Sequence, residues 1–225
     1  ALPQGHPFTD VFLGWYWTST TAAISPDHAW YLHLEGARMF YGGKDQAYLV
    51  WPVRGPRNHL LPRTGQQRCF DAHGQPIDCT GTGQDGEWLT GTPWPEPRFK
   101  TVGDGVLDRL TGLVWWPVGD FTPEPVTWGQ ALARVRDLNA DLDERQWRLP
   151  GINELESLVD ASQARPALPQ SAPFDNLMDV YWSSTTSLFE PDWAWALYLD
   201  KGATGVGQKK LPAFHAWPVR DHRPA

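Results

Sequence analysis

The sequence predicts an α+β protein built from one complete repeat unit and the C-terminal half of another. Two observations predict this. Residues 1–54 return with substitutions at 167–220, and the second copy alone is preceded by a hairpin pattern and two helical patterns. A hairpin followed by two helices and a run of antiparallel strands is typical of α+β folds. A repeat of this length indicates a repeated structural unit.

The two copies match segment by segment. The sequence YWTSTT at 16–21 returns as YWSSTT at 181–186, and PDHAW at 26–30 returns as PDWAW at 191–195. The tetrapeptide WPVR at 51–54 returns unchanged at 217–220. The chain therefore divides into the second half of a first unit (1–54), a connector rich in Gly and Pro (55–97) and a complete unit (98–225). Alone, the apolar side chains of the half-unit would be exposed. The second unit, another copy of the chain or an upstream segment could cover them, and we expect an upstream segment.

The complete unit begins with a hairpin and a helix. Glycines at 105 and 112 mark the turns around the strand patterns 106–108 and 113–116. Thr127 is a suitable N-cap for a helix that runs to about Asn139. The apolar positions of this helix recur with a period of 3.6 residues, which predicts one buried face. They are Trp128, Ala131, Leu132, Val135 and Leu138.

A second, shorter helix and three strands complete the unit. Asn153 is the predicted N-cap of the helix, with Glu156 in a loose form of the capping box. The strands are predicted at about 180–186, 193–200 and 213–220.

Cys69 and Cys79 are the only cysteines, and Gly and Pro lie between them. This spacing suits a tight loop closed by a disulfide, and two free thiols are the alternative. A second cysteine pair or a paired histidine, which a zinc site would need, is missing. A disulfide would indicate an oxidising compartment.

Composition excludes several classes of function. The net charge of -7 argues against nucleic acid as a partner, because binding phosphates requires clustered Lys and Arg. No apolar run is long enough for a membrane span. The sequence contains no nucleophile elbow, phosphate loop or dinucleotide fingerprint, so we expect neither an enzyme nor a cofactor.

Candidate metal and catalytic groups also fail on spacing. Residues 139–150 begin like an EF-hand loop, but they lack its glycine and its final glutamate, so no metal is expected. Glu154 and Glu156 are two apart on a helix and do not face each other. His28 and His33 are five apart on a strand and point to opposite faces. We interpret the acidic cluster of Asp137, Asp141, Asp143 and Glu144 as a solvated helix end. We interpret Arg54 and Arg220 as partners in structural ion pairs.

Comparison of the copies separates two faces of one strand. The copies agree at 30, 32 and 34 (195, 197 and 199) and differ at 31 and 33 (196 and 198). Because successive side chains of a strand point to opposite faces, we expect Trp195, Leu197 and Leu199 in the core, with Ala196 and Tyr198 facing away. The differences indicate either drift at undemanding positions or an exchangeable binding face.

The motifs of the complete unit resemble the Lcl C-terminal domain family. They comprise Phe99 with GDGV at 103–106, TGLVW at 111–115, WRLP at 147–150 with NEL at 153–155, YWSST at 181–185 and WPVR at 217–220. The resemblance covers 98–221 in full and 1–54 as a C-terminal half. The connector sequence GTGQDG at 81–86, with its flanking cysteines, is similar to that of tandem members.

The resemblance implies a C-type lectin-like fold, with two helices packed on antiparallel sheets, and display outside the cell or on its surface. It also implies a binding role, often adhesive, towards a protein or a glycan. Some relatives are variable proteins of diversity-generating retroelements, which change the exposed face of their final strands. The calcium-binding motifs of sugar-binding C-type lectins and the catalytic cysteines of formylglycine-generating enzymes have no equivalent here.

We therefore expect a non-enzymatic ligand-binding module whose ligand contacts the outer face of the last strands and their loops. The alternative is a structural or interaction domain of a larger surface protein without a small ligand. The sequence leaves the oligomeric state open. The candidate ligand-binding residues are Ser187, Leu188, Phe189, Glu190, Trp193, Ala196, Tyr198, Phe214 and His215.

Overall fold

The computed structural model describes residues 2–54, 60–140 and 147–222. The chain divides into two compact units. From here on, the first unit is Ala1–Thr92 with Asp160–Gln163, and the second unit is Pro93–Val159 with Ala164–Ala225. Three members of the predicted acidic helix end, Asp141, Asp143 and Glu144, lie outside the described residues, as does the middle of the EF-hand-like segment.

The described part of the first unit contains a three-stranded antiparallel sheet, whose strands are adjacent in chain order, and a two-stranded antiparallel sheet. A disulfide joins Cys69 and Cys79, as predicted, so the two cysteines are not free thiols. The elements of this unit are β1 (Trp15–Thr21), β2 (His28–His33), β3 (Arg38–Gly43), β4 (Cys69–Phe70), β5 (Pro76–Ile77) and α1 (Asp85–Trp88).

The described part of the second unit contains two antiparallel sheets and two helices. Its elements are β6 (Phe99–Val102), β7 (Gly105–Asp108), β8 (Leu113–Trp115), α2 (Trp128–Leu138), α3 (Ile152–Glu156), β9 (Val180–Thr186), β10 (Trp193–Tyr198), β11 (Ala203–Gln208) and β12 (Val219–Asp221). One sheet has the order β12-β8-β7-β6 and the other the order β11-β10-β9. The predicted hairpin and the predicted mixture of helices and antiparallel strands are confirmed.

Helix α2 forms as its sequence predicts. The Oγ1 atom of Thr127 accepts from the Gln130 N–H, while the Thr127 N–H donates to Gln130 Oε1 at 2.9 Å. This reciprocal pair is a capping box, which satisfies two backbone donors that the helix itself leaves without partners. Ala131 and Val135 are fully buried, as the period of the apolar positions requires.

The predicted cap of helix α3 is wrong. The N-cap is Gly151 rather than Asn153, which lies inside the helix. The Glu154 carboxylate accepts the Gly151 N–H at 2.7 Å and also forms a two-pronged ion pair with Arg148. The predicted pairing of Asn153 with Glu156 is therefore replaced by one that starts two residues earlier.

Strand β11 was not predicted, because its sequence ATGVGQ contains two glycines, which are depleted in strands, and no aromatic residue. Its glycines have a packing role. A Cβ at Gly205 would lie 2.6 Å from the Tyr198 ring, and a Cβ at Gly207 would lie 2.4 Å from the Phe214 ring. The predicted strand at 213–220 is shorter than expected, since only Val219–Asp221 pairs continuously.

Strand β10 is buried on both faces. On one face, Leu197 and Leu199 join a core cluster with Leu155 of helix α3. On the other face, Ala194 and Ala196 join a second cluster with residues of helix α2. The predicted core positions of Leu197 and Leu199 are confirmed, whereas Trp195 is only partly covered.

The expectation that Ala196 faces away from the core, available to a ligand, is wrong. Ala196 does point to the face opposite Leu197, but that face packs in the cluster of helix α2 and Ala196 has no exposed surface. The small side chain leaves room for the helix. The first unit has Tyr31 at the corresponding position, where it packs against Trp17 and Tyr48.

Substitution of Ala196 by Tyr, the residue of the other copy, should destabilise the second unit by about 2–3 kcal/mol, because overpacking forces neighbouring side chains and backbone to shift. Urea unfolding would measure the change. The matched control is Tyr31→Ala, which should leave the second unit unaffected. Equal stability of the Ala196→Tyr variant and the native chain would contradict the two-sided packing.

Candidate ligand-binding surface

The most exposed candidate residues lie on the turn between β9 and β10. The side chain of Leu188 is 89% exposed and that of Phe189 is 64% exposed. The backbone beneath them is closed by hydrogen bonds: the Ser187 N–H donates to Trp193 O at 3.0 Å, and the Trp193 N–H donates to Glu190 O at 2.8 Å. The turn therefore holds two large apolar side chains in water on a defined backbone.

Ser187 belongs to the support of the turn and not to its surface. Its side chain is buried, and its Oγ atom accepts the Glu190 N–H at 3.2 Å. The prediction that Ser187 contacts a ligand is therefore wrong. Among residues 187–190, the exposed contact area belongs to Leu188 and Phe189, with Glu190 partly covered.

Lys209 fastens the turn to the sheet and to helix α2. Its Nζ atom donates to Thr186 Oγ1 at 2.7 Å and to Pro191 O at 2.9 Å. The same atom lies 4.4 Å from the centre of the Trp128 ring, an attractive arrangement of a cation over an aromatic face. One side chain thus links the two ends of the turn with the first residue of the helix.

Trp193 and Tyr198 do not share a surface. They are five residues apart on β10, which pairs with β11 in continuous register, so their side chains point to opposite faces. Both are half-buried. Tyr198 packs against Phe214, with ring centres 5.8 Å apart, and lies beneath the Lys201 ammonium group. The expectation that both residues belong to one outer face of the last strands is therefore wrong.

Phe214 and His215 contribute mainly to packing. The Phe214 ring lies 4.5 Å from the Trp182 ring. The Nδ1 atom of His215 lies 2.6 Å from Thr122 O, which requires the proton on Nδ1. Both side chains are half-buried, so they offer a ligand less surface than Leu188 and Phe189.

The first unit repeats the same turn with different side chains. The Ala22 N–H donates to His28 O at 3.0 Å, and the His28 N–H donates to Ser25 O at 2.9 Å. These bonds correspond to those of Ser187, Trp193 and Glu190. The residues that correspond to Leu188 and Phe189 are Ala23 and Ile24, and both are partly covered. The two turns share a backbone arrangement and differ in what they present.

The disulfide loop of the connector lies against the turn of the first unit. A Cβ at Gly74 would lie 2.9 Å from the Asp27 backbone nitrogen, so the two segments are in close contact. Lys44, which corresponds to Lys209, donates to Phe70 O at 2.9 Å and to Asp71 O at 3.1 Å. Desolvation of Lys44 lowers its pKa. The same lysine position thus holds the connector in one unit and the turn in the other.

The carboxylates of helix α3 have separate environments. Partial burial acts to raise the pKa of Glu154, but hydrogen bonds from Arg148 and Gly151 outweigh it, and the pKa lies below the ordinary value. Burial raises the pKa of Glu156, against a hydrogen bond from Thr204. The residues do not form a carboxylate pair, and the described ranges contain no group of three potential ligands that could hold a metal ion.

The comparisons with known proteins identify a family for the second unit. The model of the Lcl C-terminal domain matches residues 104–220, just over half of the chain. No curated protein and no solved structure gives a significant match to the chain. The matched range includes the β9–β10 turn and Lys209.

Substitution of Lys209 by Met should loosen the turn without unfolding the unit. It removes two charge-assisted hydrogen bonds at a partly exposed site, so we expect a loss of about 1 kcal/mol in unfolding free energy. Hydrogen exchange at the Glu190 and Trp193 amides should accelerate. The neighbouring Lys210→Met variant is the control, and equal exchange rates in the two variants would show that Lys209 does not hold the turn.

Substitution of Glu156 by Gln should change how stability depends on pH. Since the folded state raises the pKa of Glu156, the native chain loses stability as pH rises from the ordinary range of Glu through the folded value. The Gln variant should be more stable than the native chain at pH 8 and similar at pH 4, as measured by urea unfolding. A Glu154→Gln control should instead be less stable than the native chain at pH 8, because the native Glu154 is ionised there and forms its ion pair with Arg148.

Proposed function

Because the chain belongs to the Lcl C-terminal domain family, we propose that its second unit is a non-enzymatic ligand-binding module of an extracellular or surface protein, and that a protein or glycan docks on the tip of the β9–β10 turn. The observation that carries this proposal is the exposure of Leu188 and Phe189 on a turn that hydrogen bonds and Lys209 hold in place.

Exposed apolar side chains of this size have a cost in water that a partner would remove. Burying a Leu or Phe side chain contributes about 1.5–3 kcal/mol. Binding energy in protein interfaces is concentrated in a few such residues, particularly where their backbone is already ordered. The turn therefore supplies two anchors whose loss of freedom on binding is small.

The repeated turn supports a scaffold with an exchangeable tip. Ser187 and Ala22 occupy the same hydrogen-bonding position, while the tip residues differ between the units. Replacement of Leu188 or Phe189 would leave those backbone bonds in place. This separation of support from contact surface suits a variable receptor or an adhesin. In a hypervariable receptor, the positions that vary would be those of Leu188 and Phe189.

The disulfide supports an extracellular location, because such bonds persist in oxidising compartments. Within the described residues, no helix has the length and apolar character required to cross a membrane.

The double variant Leu188→Ala/Phe189→Ile gives the turn the tip of the first unit. Probed on arrays of neutral glycans, acidic glycans and extracellular-matrix proteins, it should bind the targets of the native chain at least about tenfold more weakly, which corresponds to about 1.4 kcal/mol. The melting temperature should stay nearly unchanged, since neither side chain is buried.

Ile77→Ala, which removes an exposed aliphatic side chain from the first unit, is the matched control and should bind as the native chain does. Native-level binding by the double variant would exclude the turn as the contact surface. A large fall in melting temperature would instead assign Leu188 and Phe189 a packing role.

A further inference from the structure

The tetrapeptide WPVR has opposite environments in its two copies. In the second unit, Trp217 and Val219 have no exposed surface. In the first unit, Trp51 is half-buried and Val53 is 93% exposed. Since the residues are identical, the difference must come from what surrounds them.

The aromatic rings beside the tetrapeptide have the same arrangement in both units. The Phe8 and Trp51 rings lie 4.8 Å apart at 85°, and the Phe174 and Trp217 rings lie 4.8 Å apart at 86°. A tyrosine also packs on the tryptophan in each unit, Tyr16 in the first and Tyr181 in the second. We call this set of Phe, Tyr and Trp rings the aromatic frame, and both units contain it.

In the second unit, the hairpin of β7 and β8 covers the aromatic frame. The Trp115 ring of β8 lies 5.4 Å from the Trp217 ring. The Trp116 N–H donates to Pro218 O at 2.9 Å, and Trp217 Nε1 donates to Trp116 O at 2.8 Å. Side-chain packing and strand pairing therefore act together on the tetrapeptide.

In the first unit, an open cleft of about 420 Å³ lies at the corresponding place. Phe8, Tyr16, Val50 and Trp51 are among its lining residues. Within the described part of the chain, residues 51–54 pair with no strand. The first unit thus presents an aromatic cleft next to an unpaired extended segment.

We propose that this cleft and the segment 51–54 form a docking site for a β-hairpin of the β7–β8 type presented by a partner protein. The hairpin adds a strand alongside 51–54 and places an aromatic side chain in the cleft, as Trp115 does against Trp217. Strand addition supplies affinity through main-chain hydrogen bonds, and the aromatic pocket supplies specificity.

The pairing of the second unit shows which backbone group of the first unit would bond to an added strand. Val219 exchanges both of its backbone hydrogen bonds with Arg148, at 2.8 and 2.9 Å, so the backbone groups of the next residue, Arg220, face β8. Arg220 is paired with Val114. The corresponding residue in the first unit is Arg54, whose N–H is the donor required for an added strand.

A fluorescein-labelled peptide of residues 98–118 is the probe. Titrated with the full 225-residue chain, it should show a saturable rise in fluorescence anisotropy. The chain variants Trp51→Ala and Arg54→Pro should each weaken binding at least about tenfold, and so should Trp115→Ala in the peptide. Arg54 is exposed, so its variant tests strand addition even if Trp51→Ala perturbs folding, and the peptide variant leaves the chain unchanged.

Three results would overturn the proposal. One is the absence of a saturable signal at chain concentrations up to about 1 mM. Another is equal binding of the native peptide and its Trp115→Ala form. The third is a concentration-dependent dimer of the chain alone that Trp51→Ala abolishes, which would show exchange between copies instead. The Leu188→Ala/Phe189→Ile chain should bind the peptide normally, so this test is independent of the proposed ligand surface.

Discussion

The second unit depends on the burial of strand β10 from both sides. Leu197 and Leu199 pack in the cluster of helix α3, while Ala194 and Ala196 pack in the cluster of helix α2. A strand covered on both faces cannot offer its middle to a ligand. The surface that remains available in this region is the turn at its end, where Leu188 and Phe189 are exposed. The same packing that stabilises the sheet therefore directs recognition to the turn.

The turn itself shows how one backbone serves two purposes. The two backbone hydrogen bonds that close it are the same in both units, and a lysine occupies the same position after the third strand of each sheet. In the first unit Lys44 holds the connector, and in the second Lys209 holds the turn. Because the support comes from backbone groups and one lysine, the tip side chains can differ without a change in the scaffold.

The repeated tetrapeptide WPVR shows the limit of local sequence. The residues Trp, Pro and Val are buried at 217–219, whereas at 51–53 the Trp is half-buried and the Pro and Val are exposed. Their neighbours in the chain produce the same ring geometry in both places. What differs is a strand distant in sequence, β8, which pairs with one copy. This contrast is the basis for the inferred docking site, since the second unit shows which kind of element fits the first.

The sequence by itself determined the α+β class, helix α2 with its Thr127 cap and the hairpin, and it favoured the disulfide loop over two free thiols. Each of these depends on interactions between residues close together in the chain, which periodicity and turn residues reveal. Only the tertiary structure decided that Ala196 is buried, that Trp193 and Tyr198 point to opposite faces, and that Ala203–Gln208 forms a strand. Alternation along a strand shows that two faces exist, but which of them is covered depends on helices and strands contributed by distant parts of the chain.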